Sequence, residues 1–150
     1  MTETVFLPPT GGRSPRGTLI PPLLLIPFLI YNVVAFTLFG GSTEGWRATD
    51  ILTVPMVSGQ NWALTAGDVL LVVGLACLFV EMLKSTNTGR SSVVEHMLST
   101  ALFVVFLVEF LLVGAAASST FFLLMVMALV DVVAGFTISI TGAGRDVTMG

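Results

Sequence analysis

Glu109 and Asp131 lie inside the last two of four long apolar runs, and neither run holds a lysine or arginine that could neutralise them. An ionisable side chain in hydrocarbon is costly unless it is paired, protonated or hydrated, so each is a candidate functional residue. Two chemistries suit such a pair. Dry surroundings favour the neutral carboxyl, which can bridge helices as a structural hydrogen bond. In wet surroundings the two could carry a proton or hold a cation.

Helical spacing sorts the polar residues into faces. In the third run Glu95, Ser99, Leu102, Phe106 and Glu109 recur every three or four residues and form one stripe. In the fourth, Ala128, Asp131, Gly135 and Ser139 form a face of small residues that permits close backbone approach and directs Asp131 into a bundle. At 1.5 Å of rise per residue, Asp131 falls roughly 15 Å, Asn32 about 20 Å and Glu109 roughly 24 Å from the cytoplasmic ends of their helices. These depths predict an intramembrane polar cluster of Asn32, Glu109 and Asp131, with Glu95, His96 and Ser99 at its cytoplasmic mouth. Tyr31, Thr37 and Thr100 are further hydrogen-bonding residues at these depths. Glu81, three residues before Lys84, is expected to reach outward and pair with it among the headgroups. His96 is expected to be a solvated interfacial residue.

The elements that must position these groups follow from composition. The chain is 55% hydrophobic and 10% charged, against roughly 25% charged in a soluble domain. The apolar runs occupy residues 19–39, 66–84, 93–116 and 120–140, each close to the ~20 residues that cross about 30 Å of hydrocarbon. The expected architecture is an all-α membrane protein, with four transmembrane helices in one compact bundle and no internal repeat. Thr65 with Asp68, and Ser92 with Glu95, have capping-box spacing, and Ser118 or Ser119 can cap the fourth helix. Pro21 and Pro22 suit a first turn, whereas Pro27 is expected to kink the first helix and free the carbonyl of Leu23.

Arg13, Arg16, Lys84, Arg90 and Arg145 fall on one side of these spans and only Arg47 on the other, which predicts cytoplasmic N and C termini in a bacterial-type inner membrane. Residues 1–18, with three prolines and three glycines, are expected to form a flexible cytoplasmic tail, and residues 142–150 a short one. The first run exceeds a signal-peptide core and is followed by a poor cleavage site, so it is expected to be a retained anchor. The loop 40–65 then lies outside. Within it, Ile51 to Val54 and Trp62 to Leu64 flank turn-forming residues, which predicts a short hairpin or a re-entrant cap on the outer face. Trp46 and Trp62 bracket the loop as expected interfacial anchors.

Several functions lack their residues. A net charge of −3 gives no basic footprint for nucleic acid. One cysteine, Cys77, cannot form an internal disulfide. A single histidine offers no paired haem ligation, and P-loop, HExxH and Gly-x-Ser-x-Gly patterns are missing. An intramembrane aspartyl hydrolase needs two deep aspartates, and only Asp131 is deep. Small multidrug-resistance proteins share the helix count, but their essential acid lies in the first span, where this chain has Asn32. No catalytic, cofactor or metal site is therefore expected. The expected function is an accessory, assembly or structural subunit that works through helix–helix contacts in the bilayer, as a homo-oligomer or within a larger membrane complex. The alternative is a proton- or cation-coupled small transporter or channel that uses Glu109 and Asp131.

Overall fold

A computed structural model describes residues 21–85 and 91–148, without the side chains of 91–93, 139 and 141–148. The elements run α1 (Leu25–Thr37), α2 (Gly45–Ala48), β1 (Asp50–Pro55), β2 (Asn61–Thr65), α3 (Ala66–Ser85), α4 (Ser91–Leu112), a 3-10 turn (Gly114–Ala116) and α5 (Ser119–Thr148). Three helices are long and apolar enough to cross a membrane, within Ala66–Ser85, Val94–Leu112 and Ser119–Ile138, while Leu25–Thr37 is a shorter apolar helix. Mostly helical, with one two-stranded sheet, the fold is that of a helical membrane protein.

The prolines explain the shortness of α1. The chain turns at Pro22, whose carbonyl accepts the Leu25 N–H at 3.0 Å, and regular helix begins only at Leu25. Pro27 therefore sits in the first turn, where a missing N–H leaves no bond unmade. No carbonyl is freed at Leu23, which accepts the Ile26 N–H at 3.0 Å, so the expected opening there does not occur. At the other end, Gly40 takes φ 57°, a left-handed conformation that suits glycine, and lets the Gly41 N–H return to the Ala35 carbonyl at 2.8 Å.

β1 and β2 pair antiparallel, with Thr53 opposite Ala63 and Val54 opposite Trp62. Gly59, at φ 84°, closes their connection. The hairpin leads directly into α3 through a reciprocal cap: the Thr65 N–H donates to Asp68 Oδ2 at 2.9 Å and the Asp68 N–H to Thr65 Oγ1 at 3.2 Å. At the α4–α5 corner, Ser118 Oγ accepts the Phe121 N–H at 3.1 Å and so caps α5. The Ser92–Glu95 box involves a side chain outside the described ones, and α4 already begins at Ser91. α5 continues as helix to Thr148, through most of the expected terminal tail. The tail 1–18 and the connection 86–90 lie outside the described residues.

α5 packs against both α3 and α4, and α1 rests mainly on α3. Close approach of α3 and α5 depends on glycine. A Cβ on Gly67 would lie 2.6 Å from Thr120 Oγ1 and 2.9 Å from the Trp46 carbonyl oxygen, and one on Gly74 would lie 2.6 Å from Leu124 Cδ2. The core is aromatic at its centre, where Phe28 meets Phe106 edge-on at 4.7 Å, and Phe106 lies 5.3 Å from Phe121.

Candidate functional site

The polar residues form two separate groups, one near each end of the bundle. Toward the hairpin end, Asn32 on α1 donates through Nδ2 to Glu109 Oε2 at 3.3 Å and to the Phe28 carbonyl at 3.2 Å. Both side chains are half-buried on the wall of an open groove of about 480 Å³ between α1 and α4. Its other lining residues include Phe36, Val104, Val108 and Leu112, and no basic side chain lines it among the described residues. A carboxyl with a single donor in apolar surroundings leaves most of its accepting capacity unused.

Asp131 does not join that pair. It is 4% exposed on α5 and makes a side-chain hydrogen bond with Ser99 of α4. Ser99 and Glu109 are ten residues apart on α4, which is about 15 Å along the axis. Leu102 and Phe106 of α4 and Leu124 and Ala128 of α5 are buried between the two levels. The expected depths already separated Asp131 from Glu109 by roughly 9 Å along the axis, and Asp131 instead meets Ser99 in the early part of α4. The structure thus brings Asn32 to Glu109 and Ser99 to Asp131, and keeps the pairs apart.

Glu81, His96 and Lys84 lie within electrostatic range of Asp131. Glu81 is not turned outward. It is 5% exposed, its Oε1 accepts Lys84 Nζ at 3.1 Å, and its Oε2 accepts the Leu23 N–H at 2.9 Å. Because Leu23 follows two prolines, its N–H is the first free donor at the start of the α1 turn. A carboxylate there satisfies an orphan donor and complements the helix dipole. His96 packs against α5 beside Gly135, where a Cβ would lie 2.5 Å from its Nδ1, with Phe136 at a ring separation of 6.1 Å. It is half-buried rather than fully solvated, as is Glu95.

Thr37 and Thr100 donate to carbonyls of their own helices, those of Val33 and His96, and take no part in either group. Tyr31 is a structural tie that spacing did not reveal. Its hydroxyl donates to the Ala115 carbonyl at 2.7 Å and meets Ser118 Oγ at 2.7 Å, which joins α1 to the α4–α5 corner. The signal was a lone tyrosine within an apolar run, since a buried phenol needs a polar partner.

The two tryptophans differ. Trp62 is half exposed on the hairpin. Trp46 is not available to headgroups: it is 2% exposed and stacked on Tyr31 at 4.6 Å. Its indole N–H lies beside the Tyr31 hydroxyl without reaching hydrogen-bond geometry. α2 has folded inward because the Gly67 surface admits its backbone.

Among the described residues no group of three or more His, Cys, Asp and Glu side chains is arranged to hold a metal ion. Comparison with family profiles, with curated proteins and with solved structures gave no match.

Proposed function

We propose that this protein is a small integral membrane subunit that works through helix–helix contacts in the bilayer, as an accessory or assembly component. The observation that carries this reading is the open groove between α1 and α4, in which Glu109 has only Asn32 as a hydrogen-bond partner among the described residues. A carboxyl left in that state toward lipid is unfavourable, and a neighbouring helix with hydrogen-bond donors removes the cost. The topology belonging to this reading counts α1 as a fourth crossing. Its support is that Leu23 meets Glu81 near one end of α3, while Tyr31 meets Ser118 beyond the start of α5. The basic residues favour a cytoplasmic location for the end that carries Glu81, in an inner membrane of bacterial type. Purification in mild detergent is expected to yield an assembly larger than one chain. A lone monomer with no co-purifying protein would sink the proposal.

A second reading, a proton- or cation-coupled transporter, draws on a different observation. Asp131 is buried and lies within electrostatic range of Glu81, Lys84 and His96, and ionisable residues inside a membrane bundle are the groups from which proton relays are built. It predicts that Asp131→Asn and Glu109→Gln each abolish pH-dependent flux in proteoliposomes. Normal flux in both variants excludes it.

A further inference from the structure

The α1–α4 groove is one of two that run along the same helix. On its other flank, α1 borders a second apolar groove of about 370 Å³, lined by Ile30 and Val34 of α1, Trp46 of α2 and Val69 and Val73 of α3. α1 is therefore a ridge between two hollows. Its crest is apolar and exposed at Ile26, Leu29 and Val33. Ridges set into grooves are the usual way in which helices pack. A two-fold axis along the membrane normal beside α1 would lay the ridge of each copy in the α1–α4 groove of the other.

The same operation has an electrostatic consequence. Seen along the axis, α1 lies between α3, with α2 above it, and α4. Rotation by 180° therefore faces the α2–α3 side of one copy with the α4 side of the other, because an isologous contact exchanges unlike flanks. Arg47 lies on α2 at the hairpin end, exposed, and no ion pair reaches it among the described residues. Glu109, three residues before the end of α4, is at that end too. An unpaired cation and an under-partnered carboxyl are thus carried on opposite flanks of one ridge.

We infer that the occupant of the α1–α4 groove is α1 of a second copy of this chain, in a two-fold dimer that pairs Arg47 of each protomer with Glu109 of the other. This inference rests on the proposed role in bilayer contacts and names the partner. Glu109 lies in the last turn of α4, so the pair meets close to the interface, where the Arg47 head group can stay near water. The ridge supplies the apolar contact, and the two pairs fix its register.

Cysteine cross-linking in membranes tests this. In a Cys77→Ser background, Val33→Cys places a thiol on the crest of α1, and Val72→Cys places one on exposed α3 surface that lines neither groove. Oxidation is expected to link Val33→Cys chains into a dimer and to leave Val72→Cys chains unlinked. Arg47→Glu is expected to lower the linked fraction by about tenfold, since close interfacial charge pairs carry coupling of at least that size. Combining it with Glu109→Arg should restore the dimer, and equal far-ultraviolet dichroism would show that the variants fold. Linking that ignores both charge changes overturns the pairing. A chain that runs in a larger complex without linking to itself overturns the inference and leaves the proposed role standing. A solitary monomer overturns both.

Discussion

Glu81 shows how much one buried carboxylate can organise. Its two oxygens hold Lys84 of its own helix and the Leu23 N–H of α1, so one side chain fastens two elements and meets an orphan helix donor. The two partners can be separated by substitution. Glu81→Gln keeps an acceptor for Leu23 and loses the ion pair, whereas Glu81→Leu loses both. Thermal unfolding in detergent is expected to show the larger loss for Glu81→Leu, about 1.5–3 kcal/mol, the range for hydrogen bonds to charged groups. Equal losses would mean that the Leu23 contact contributes nothing. Tyr31 does a comparable job at the other end, where a single hydroxyl reaches the α4–α5 corner.

Glycine governs how closely elements meet. Gly67 and Gly74 face α5 seven residues apart on α3, but the atoms opposite them differ in freedom. Opposite Gly74 are the ends of Leu124 and Met127, which can rotate away, while Gly67 abuts the backbone of Trp46. Alanine also gains roughly 1 kcal/mol over glycine within a helix. Gly74→Ala is therefore expected to be near neutral, whereas Gly67→Ala is expected to lose about 1–3 kcal/mol through overpacking and to loosen the α2 region. Thermal unfolding of the two variants checks the contrast, and an equally tolerated Gly67→Ala would refute it.

Across the whole molecule, Asp131 and Glu109 serve different ends of the bundle with packed apolar residues between them. Effects of distant, unshared sites add to within about 0.5 kcal/mol. The stability changes of Asp131→Asn and Glu109→Gln are therefore expected to sum in the double variant. A coupling well above that limit would mean that the two carboxyls act as one site. The architecture assigns them unlike surroundings: Asp131 is buried against Ser99 of α4, and Glu109 lines an open groove.

Local chemistry alone decided much of this protein. Apolar runs located α3, α4 and α5, the Thr65–Asp68 spacing marked the start of α3, and Gly59 among turn residues marked the hairpin, because each rests on contacts a few residues apart. The stripe on α4 was also legible, and Ser99, Leu102 and Phe106 are buried along it. Tertiary structure decided which stripe meets which. Periodicity gives a residue's face and rough depth but not the neighbour across the gap. Antiparallel packing of α4 on α5 sent Asp131 to Ser99, and Asn32 alone reached Glu109. The inward turns of Glu81 and Trp46 were equally hidden, since a prolyl-delayed helix start and a glycine on a facing helix create their sites only after the chain has folded.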